Sequence, residues 1–490
     1  MDEKAKGLQL VTPKNIHFLI GFAIMMVFRF IPAIDPITPV GMQILGIFLG
    51  TLYLWTTVDV LWSSIFCIAM VGLSDYDSMS NVLALAFGSS TVVQVLFMMI
   101  FAGALAHEGV TAHIGRFFLT RKVSEGRPWV FTLMVCLATF AMSIFVGTTP
   151  AVILMWPIVY EALEQVGFRP ENHEKYGVLL VILVVVSALA AFAVPPYKSN
   201  GLAMLANYRS LSGNTAFMND GMYFVIELII GLVFMGMAIL LCKFVFRPDV
   251  SRLKNLKIEE LNKNPLPPLD VRQKVLFWVV IVLTLAMLLP SFFKSIPFFA
   301  FLNSNTIGMA ILFCGVFAGI HIGGKPVVQV GPSIQKGVSW GVYFLIVAAI
   351  MLSSILTNEK TGITAALKAA LSPVFSGMSG LTFVIMALLI QMVLTNLCNS
   401  LVIGMMFQPI ILAYCATSGV PAEPIVAVSI FFVLSCAMFT PAASPFAAMM
   451  FANREWLQPG DIYKYTGVII ICEFILMLVF AYPLCGLLAA

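Results

Sequence analysis

The amino-acid sequence predicts an all-α polytopic membrane protein with about eleven transmembrane helices plus two re-entrant helical hairpins in inverted repeats. Three observations support this fold class. The 490-residue chain is 60% hydrophobic and only 10% charged, and its mean hydropathy is +1.00, whereas soluble domains carry about 25% charged residues. Many apolar runs are long enough to span a bilayer. Two further apolar runs are too long for one span and contain polar residues near their middles.

The composition excludes several other classes of protein. A chain this apolar cannot cover itself with a water-compatible surface, which excludes a disordered protein and a soluble enzyme. The nine cysteines are scattered through apolar runs without a C-x-x-C pair, so neither a disulfide-rich secreted domain nor a zinc site is predicted. The net charge of +4 is too small to argue for or against nucleic acid, and no nucleic-acid partner is predicted.

A transmembrane helix needs about 20 mostly apolar residues. Eleven spans are predicted on this criterion, at residues 16–34, 41–57, 58–73, 91–109, 177–208, 221–246, 275–292, 305–324, 339–358, 424–450 and 466–488. The stretches 129–163 and 380–415 are instead predicted to form helical hairpins that enter and leave the membrane on the same side. Non-helical backbone at that depth is tolerated only where protein or a water-filled cavity satisfies it.

Basic residues indicate the orientation of the chain in the membrane. They cluster in two loops, at residues 116–127 and 243–274, and such loops are usually cytoplasmic. The topology that places both loops in the cytoplasm has a cytoplasmic N-terminus and a C-terminus outside. The sequence therefore predicts a multi-pass protein of the cell (plasma or inner) membrane, with the lipid bilayer as its surroundings.

The chain divides into five segments around a Pro-rich linker. The predicted segments are 1–81, the N-terminal scaffold helices; 82–247, the first repeat with its hairpin and broken helix; 248–273, the cytoplasmic linker; 274–334, the scaffold helices of the second half; and 335–490, the second repeat with its hairpin and broken helix.

The two repeats follow the same order of elements. The segment FAMSIFVGTTPAVILMWPI (140–158) aligns without gaps with MVLTNLCNSLVIGMMFQPI (392–410), and in both a small polar cluster precedes a Pro-Ile pair. Each hairpin is followed by a span that prolines interrupt, in AVPPYKSN (193–200) and TPAASPF (440–446). An odd number of spans separates the two hairpins, so the repeats are predicted to be inverted.

Interrupted helices at matching positions indicate a transported solute. Backbone groups left unpaired in hydrocarbon cost several kcal/mol each, so a structure keeps such breaks where something binds. Half-helix N-termini favour anions, and unwound carbonyl groups favour cations. Paired Pro-interrupted segments in two halves are the best sequence pointer to a transporter site. The alternative, that the prolines only kink packed helices, is less favoured for four interruptions in matching order.

A membrane-embedded enzyme is the second function class considered. Such an enzyme needs a nucleophile with a base, or metal ligands, clustered within the bilayer. The five histidines show no pair at ligand spacing within a span, which disfavours this class. An ion channel would favour pore-lining rings over two inverted, Pro-broken repeats. The sequence therefore predicts a transporter without enzyme activity.

The same residues resemble a known family. The hairpin and broken-helix pairs resemble those of the divalent anion/sodium symporter (DASS) family, within the ion transporter superfamily, from about residue 82 to the C-terminus. The segment FGSSTVVQVLFMMIFAGALAHEGVTAHIGRF (87–117) resembles the stretch before the family's first hairpin, and SWGVYFLIVAAIMLSSILTNEKTGI (339–363) resembles its counterpart in the second half. The resemblance implies a homodimer in which a transport domain slides past a scaffold, carrying dicarboxylates, citrate or sulfate, usually with sodium.

The resemblance also implies a set of site residues. The family's Ser-Asn-Thr triplet at each hairpin tip is replaced here by Gly147-Thr148-Thr149 and by Asn399-Ser400-Leu401, a departure that puts sodium coupling in doubt. The implied substrate-binding residues are Gly147, Thr148, Thr149, Asn399, Ser400, Ser444 and Pro445. If transport is coupled to sodium, the implied ion-binding residues are Ser143, Gly147, Ala193, Thr395 and Ala443. No other metal site is predicted.

Three of the charged residues within predicted spans are candidates for function. Lys198 follows the Pro195-Pro196 break. A charged side chain within the membrane is energetically costly and usually has a function. Lys198 is hypothesised to bind the anionic substrate in place of sodium; alternatively, its side chain extends to an aqueous edge or pairs with an acid. Glu227 and Glu473 are interpreted as structural residues that pair with Arg29 or Lys243, with a proton relay as the less favoured alternative.

The sequence therefore predicts a secondary active transporter for small dicarboxylates such as succinate, malate or fumarate, with an elevator mechanism. Two facing hairpin tips suit a ligand with an anionic group at each end. Sulfate or citrate transport is the alternative. Sodium symport and sodium-independent exchange both remain open, and no cofactor is predicted apart from Na⁺ as the coupling ion in the symport case.

Overall fold

The structure is a computed structural model that describes residues 12–119, 122–197, 199–213, 218–255, 267–293, 295–356, 358–366, 369, 373, 377–397 and 399–489. Lys198, the cation predicted to bind substrate, lies outside the described residues. The described chain is almost entirely helical, with one short two-stranded antiparallel sheet.

The described residues of the first half form eleven α-helices. They are α1 (Pro13–Val27), α2 (Pro39–Thr57), α3 (Val60–Gly72), α4 (Met79–Phe87), α5 (Ser90–His107), α6 (Val110–Leu119), α7 (Pro128–Phe145), α8 (Thr148–Gln165), α9 (Lys175–Ala190), α10 (Ser199–Ser212) and α11 (Asp220–Leu240). A π-helical segment, Leu241–Phe246, continues α11. Short 3-10 turns are Lys122–Ser124, Pro170–Asn172 and Ser251–Asn255.

The second half contains eleven more described α-helices and the sheet. They are α12 (Val271–Phe292), α13 (Pro297–Ser304), α14 (Thr306–Gly319), β1 (His321–Ile322), β2 (Lys325–Pro326), α15 (Val330–Gly337), α16 (Trp340–Leu356), α17 (Gly380–Thr395), α18 (Ser400–Ser418), α19 (Ala422–Ser435), α20 (Pro445–Ala452), α21 (Pro459–Leu476) and α22 (Tyr482–Ala489). Met477–Ala481 forms a π-helical segment between the last two helices, and Glu359–Thr361 a 3-10 turn.

Helix starts follow the local sequence. Thr38 precedes Pro39, and its side chain accepts a hydrogen bond from the Gly41 N–H, so α2 begins with a polar cap and a proline at its first position. Asp270 and Gln273 form a reciprocal capping box at the start of α12. These capping residues determine where α2 and α12 begin.

The number of helices that qualify as spans differs from the eleven predicted. Within the described residues, seven helices are long and apolar enough to cross a membrane, and nine if each of two bent pairs is counted as one span. Five further apolar helices, α1, α3, α9, α17 and α19, are shorter than a full span. The sequence criterion counted apolar length alone, so it took each broken helix (177–208 and 424–450) as one span and included α1 and α3, which are shorter than a full span.

Both predicted hairpins and both predicted breaks are present. The stretch 129–163 forms α7 and α8, and 380–415 forms α17 and α18, each pair packed side by side around a short turn. The predicted spans 177–208 and 424–450 each divide into two helices, because residues 191–197 and 436–444 leave the helical conformation. The Pro-containing interruptions therefore end helices and are not kinks.

The acids Glu227 and Glu473 were predicted to pair with Arg29 or Lys243, and this prediction is wrong. Both acids are completely buried, whereas the two cations are exposed. Arg29 instead pairs with Asp75 at 3.2 Å. Glu473 accepts a hydrogen bond from Ser435, and neither carboxylate oxygen of Glu227 has a partner within the described ranges.

The short helix α15 packs against α5 through glycines. A Cβ at Gly337 would lie 2.6 Å from the Gly103 nitrogen, and a Cβ at Gly103 would lie 2.7 Å from the Gly337 Cα. Only hydrogen atoms fit at these two positions, so the two backbones are in direct contact. Beyond Gly337 the chain bends by 79° into α16.

The other end of α15 is held by a buried ion pair. Arg272 donates to both carboxylate oxygens of Glu108, through Nη1 at 2.7 Å to Oε1 and through Nη2 to Oε2. Gln329, the residue before α15, donates to Glu108 Oε1 at 2.8 Å. Glu108 follows α5, so α15 is fixed to the α5 helix at both of its ends.

We expect Gly337→Ala to destabilise the fold. The new methyl group would overlap the α5 backbone, and overpacking of this kind costs about 1–3 kcal/mol. The measurement is the melting temperature of the purified protein in detergent, which should fall by several degrees. Gly331→Ala is the matched control, because a Cβ on this α15 residue meets nothing within 4 Å. Equal melting temperatures for the two variants would contradict the described contact.

Candidate functional site

One cavity of about 670 Å³ lies where the two repeats meet. Its lining includes the tips of both hairpins, both broken helices, the bend between α15 and α16, and parts of α5 and α6. The residues that line it include Ser143, Gly147, Thr148, Thr149, Asn200, Lys336, Asn399, Ser400, Leu401, Ser444, Pro445 and Phe446. All four interruptions that the sequence identified therefore contribute to the cavity.

Four helices begin at this cavity. Thr148, Ser400 and Pro445 are the first residues of α8, α18 and α20, and Asn200 is the second residue of α10. A helix N-terminus carries roughly half of an elementary positive charge and exposes backbone N–H groups. Four such ends around one cavity create a region of positive potential that favours an anion.

The first hairpin tip is open for ligand contacts. Gly147 has φ of +143°, a conformation that glycine tolerates and that other residues rarely adopt. No side chain caps the α8 N-terminus. The hydroxyl groups of Thr148 and Thr149 have no hydrogen-bond partner within the described parts of the chain, so both remain able to donate to a ligand in the cavity.

The second tip is organised differently. The Asn399 side-chain oxygen accepts from the backbone N–H groups of Leu401 and Val402, at 3.0 and 3.5 Å. This oxygen therefore caps α18, and the Asn399 amide NH₂ group remains as a donor. Ser400 adds a hydroxyl group to the lining, whereas Leu401 offers only its backbone and an apolar side chain.

Asn396 joins the second hairpin to the second broken helix. Its side-chain oxygen accepts from the Phe439 N–H at 2.9 Å, and its NH₂ group donates to the Met392 and Cys436 carbonyl oxygens at 2.8 and 3.1 Å. Thr440 donates to the Asn396 carbonyl group. One buried asparagine thus satisfies backbone groups that the helix break leaves unpaired.

Ser444 completes the second break. Its hydroxyl group donates to the Ala437 carbonyl oxygen at 2.6 Å and accepts from the Ala447 N–H at 3.1 Å. The side chain therefore caps α20 and ties the two sides of the break together. Pro445, next in sequence, occupies the first helical position, where its missing N–H costs nothing.

The predicted ion-binding residues do not all reach the cavity. Ser143 and Gly147 line it, whereas Ala193, Thr395 and Ala443 are buried behind its wall. The Ala193 carbonyl oxygen accepts a hydrogen bond from the Tyr223 hydroxyl group at 2.8 Å. Thr395 Oγ1 donates to the Val433 carbonyl oxygen at 3.1 Å. Two of these candidate oxygen ligands are therefore already engaged within the protein.

The two repeats are tied to each other crosswise. Asn207, on the second half of the first broken helix, donates to Gln408 on the second hairpin at 2.6 Å. Asn453, at the end of the second broken helix, donates to Tyr160 on the first hairpin at 2.7 Å. Each broken helix therefore binds the hairpin of the other repeat, and these bonds link the two hairpins and the two broken helices.

Comparisons with known proteins identify the family. A family model named CitMHS and described as "Citrate transporter" matches residues 11–432, which is most of the chain. The chain belongs to the CitMHS family. A search of curated proteins returned no significant match. The predicted resemblance to the DASS family, within the ion transporter superfamily, is confirmed, and CitMHS is the family within that DASS-like group.

A solved structure supports the fold of this CitMHS protein. The chain is similar to the YdaH transporter of Alcanivorax borkumensis, whose crystal structure was reported to reveal an unusual topology. The sequence identity is 12%, the TM-score is 0.52, and the alignment covers 91% of this chain and 98% of that one. At this identity the similarity establishes the fold alone. Together with the family match, it makes this chain a multi-pass membrane transporter.

Sequence reasoning missed three residues of the CitMHS cavity region. Asn200 and Lys336 line the cavity, and Asn396 holds the second break in place. The sequence offered a partial signal for two of them: Asn200 ends the predicted break 193–200, and Asn396 is a polar residue three positions before the predicted tip residue Asn399. Lys336 lies in a short, polar segment that the hydropathy criterion did not identify as a helix.

We expect Asn396→Ala to destabilise the second break. The substitution leaves the Phe439 N–H and the Cys436 carbonyl group buried without their partner, at about 1–3 kcal/mol for each group. The melting temperature in detergent should fall clearly below the wild-type value. Asn81→Ala is the control, because Asn81 is exposed and its side chain donates a hydrogen bond to the exposed Asp77 and not to a buried backbone group. A wild-type melting temperature for Asn396→Ala would refute the assigned role.

Proposed function

We propose that this CitMHS protein is a secondary active transporter of small anions with two or three carboxylate groups, of the succinate, malate or citrate class. The observation that carries the proposal is the convergence of four helix N-termini on one cavity. Such ends bind carboxylates through backbone N–H groups and dipole charge. The family description, "Citrate transporter", supports a substrate of this class.

The proposed substrate contacts come from both hairpin tips. Gly147, Thr148 and Thr149 would bind one carboxylate group, and Asn399 and Ser400 the other. Ser444 and Pro445 would contribute the α20 N-terminus. The hydroxyl groups of the two threonines and the amide NH₂ group of Asn399 are the donors available for this purpose. Citrate would add a third carboxylate group in the same cavity.

The proposed transport mechanism is an elevator. The two hairpins and the two broken helices would move as one body, and the crosswise bonds of Asn207 and Asn453 support this grouping. The α5 and α15 helices would belong to the stationary part. The proposal includes a homodimer, which the resemblance to the DASS family supports. It also includes a cytoplasmic N-terminus and an external C-terminus, which the distribution of basic loops supports.

Uptake into proteoliposomes tests this function. Labelled succinate and labelled citrate would be supplied to vesicles that are empty or preloaded with the unlabelled anion, each with and without a sodium gradient. Uptake that depends on the protein is expected for at least one of the two anions. Sodium-driven uptake into empty vesicles indicates symport, and sodium-independent uptake only into preloaded vesicles indicates exchange. Absence of uptake of both anions in all conditions would overturn the proposed substrate class.

A charge substitution at the second tip tests the binding site. Asn399→Asp keeps an effective N-cap for α18 but places a negative charge where the substrate carboxylate would bind. We expect uptake to fall at least tenfold while the melting temperature stays within a few degrees of wild type. Asn399→Ser is the control, since serine also caps a helix and is neutral. Similar uptake by the two variants would argue against an anion at this tip.

A further inference from the structure

The cavity contains an unassigned cation. Among the lining residues that the structure describes, Lys336 is the one ionisable side chain. It lies in the last turn of α15, directly before the bend into α16. The remaining lining consists of apolar side chains, hydroxyl groups, amides and backbone. A cation in such a cavity is the strongest single charge that an anionic ligand would meet there.

The Lys336 ammonium group is available to a ligand. The side chain is exposed, and within the described ranges it forms no ion pair and no hydrogen bond. A surface lysine without a binding role commonly pairs with a nearby acidic residue, or its side chain lies along an apolar surface. Here the cavity lining offers no described carboxylate for such a pair, so the ammonium group keeps its full donor capacity.

The backbone that carries Lys336 is held rigidly. Gly337, the next residue, touches the α5 backbone at Gly103, and Gln329 at the other end of α15 is bonded to the Glu108–Arg272 pair. These two contacts hold α15 at both of its ends. The position of the Lys336 backbone at the cavity is therefore fixed before a ligand enters, which lowers the ordering cost of binding.

We propose that Lys336 binds a carboxylate group of the substrate and selects anions with two or more charges over those with one. This inference rests on the proposed transport function and adds a specificity-determining residue to it. The hairpin tips supply partial charges from helix ends, and Lys336 supplies a whole positive charge from a different element. A carboxylate group held at the tips leaves the second charge of the substrate for the ammonium group.

The test compares the uptake of two substrates by the wild-type protein and by two Lys336 variants. Uptake of succinate, a dianion, and of succinamate, its monoamide with one negative charge, is measured in proteoliposomes for wild type, Lys336→Gln and Lys336→Arg. Lys336→Gln should raise the KM for succinate about tenfold, as expected for loss of one charge-assisted hydrogen bond. The KM for succinamate should change less than threefold. Lys336→Arg, which keeps the charge, should retain most of the wild-type preference for succinate.

Lys325→Gln is the matched control. Lys325 is an exposed lysine on β2 of the same segment, and it does not line the cavity. Its removal should leave both KM values unchanged. The inference is overturned if Lys336→Gln has a wild-type KM for succinate, if the KM values for both substrates rise equally, or if Lys325→Gln has the same effect. Wild-type protein that transports neither substrate nor citrate would instead count against the proposed function.

Discussion

Backbone groups that leave a helix within an apolar layer must find partners inside the protein, and this constraint organises the whole cavity. The breaks at residues 191–197 and 436–444 leave N–H and C=O groups without helical partners, and lipid cannot solvate these groups. Side chains satisfy part of them: Tyr223 donates to the Ala193 carbonyl oxygen, and Asn396 bonds the second break at two points. The α8 N-terminus has no side-chain cap and leaves its N–H groups for an anion in the cavity, whereas Asn399 and Ser444 already cap α18 and α20.

The two hairpin tips meet this constraint in different ways. At the second tip Asn399 caps its own helix, so the tip is satisfied without a ligand. At the first tip Gly147 allows a backbone conformation that places no side chain over the helix start. The inverted repeats are thus similar in fold but unequal in chemistry. A ligand would gain more backbone N–H bonds at Thr148 and Thr149 than at Ser400.

The hairpins, the breaks and the tip residues could be predicted from the sequence, because polar residues and prolines inside long apolar runs are local signals. The number of helices that meet the length criterion could not, since it depends on where helices such as α1 and α3 end, and no proline or polar cluster was identified at those ends. The role of Asn396 depends on the approach of residues 436–440, some forty positions away. Lys336 reaches the cavity only because glycines bring α15 onto α5, a contact between residues more than 200 positions apart. Hydrophobic periodicity is a local property of the sequence and does not indicate which distant helices pack together.

The most direct test of the central claim is whether the cavity binds a multiply charged anion. The melting temperature of the purified protein would be measured with increasing succinate, and with increasing succinamide, its uncharged diamide of similar size. A ligand that binds the folded state at 100 times its Kd stabilises it by about 2.7 kcal/mol. We predict a rise in melting temperature that saturates with succinate or citrate and is absent with succinamide. Equal shifts with the charged and uncharged compounds, or no shift with either anion, would contradict an anion site at the four helix N-termini.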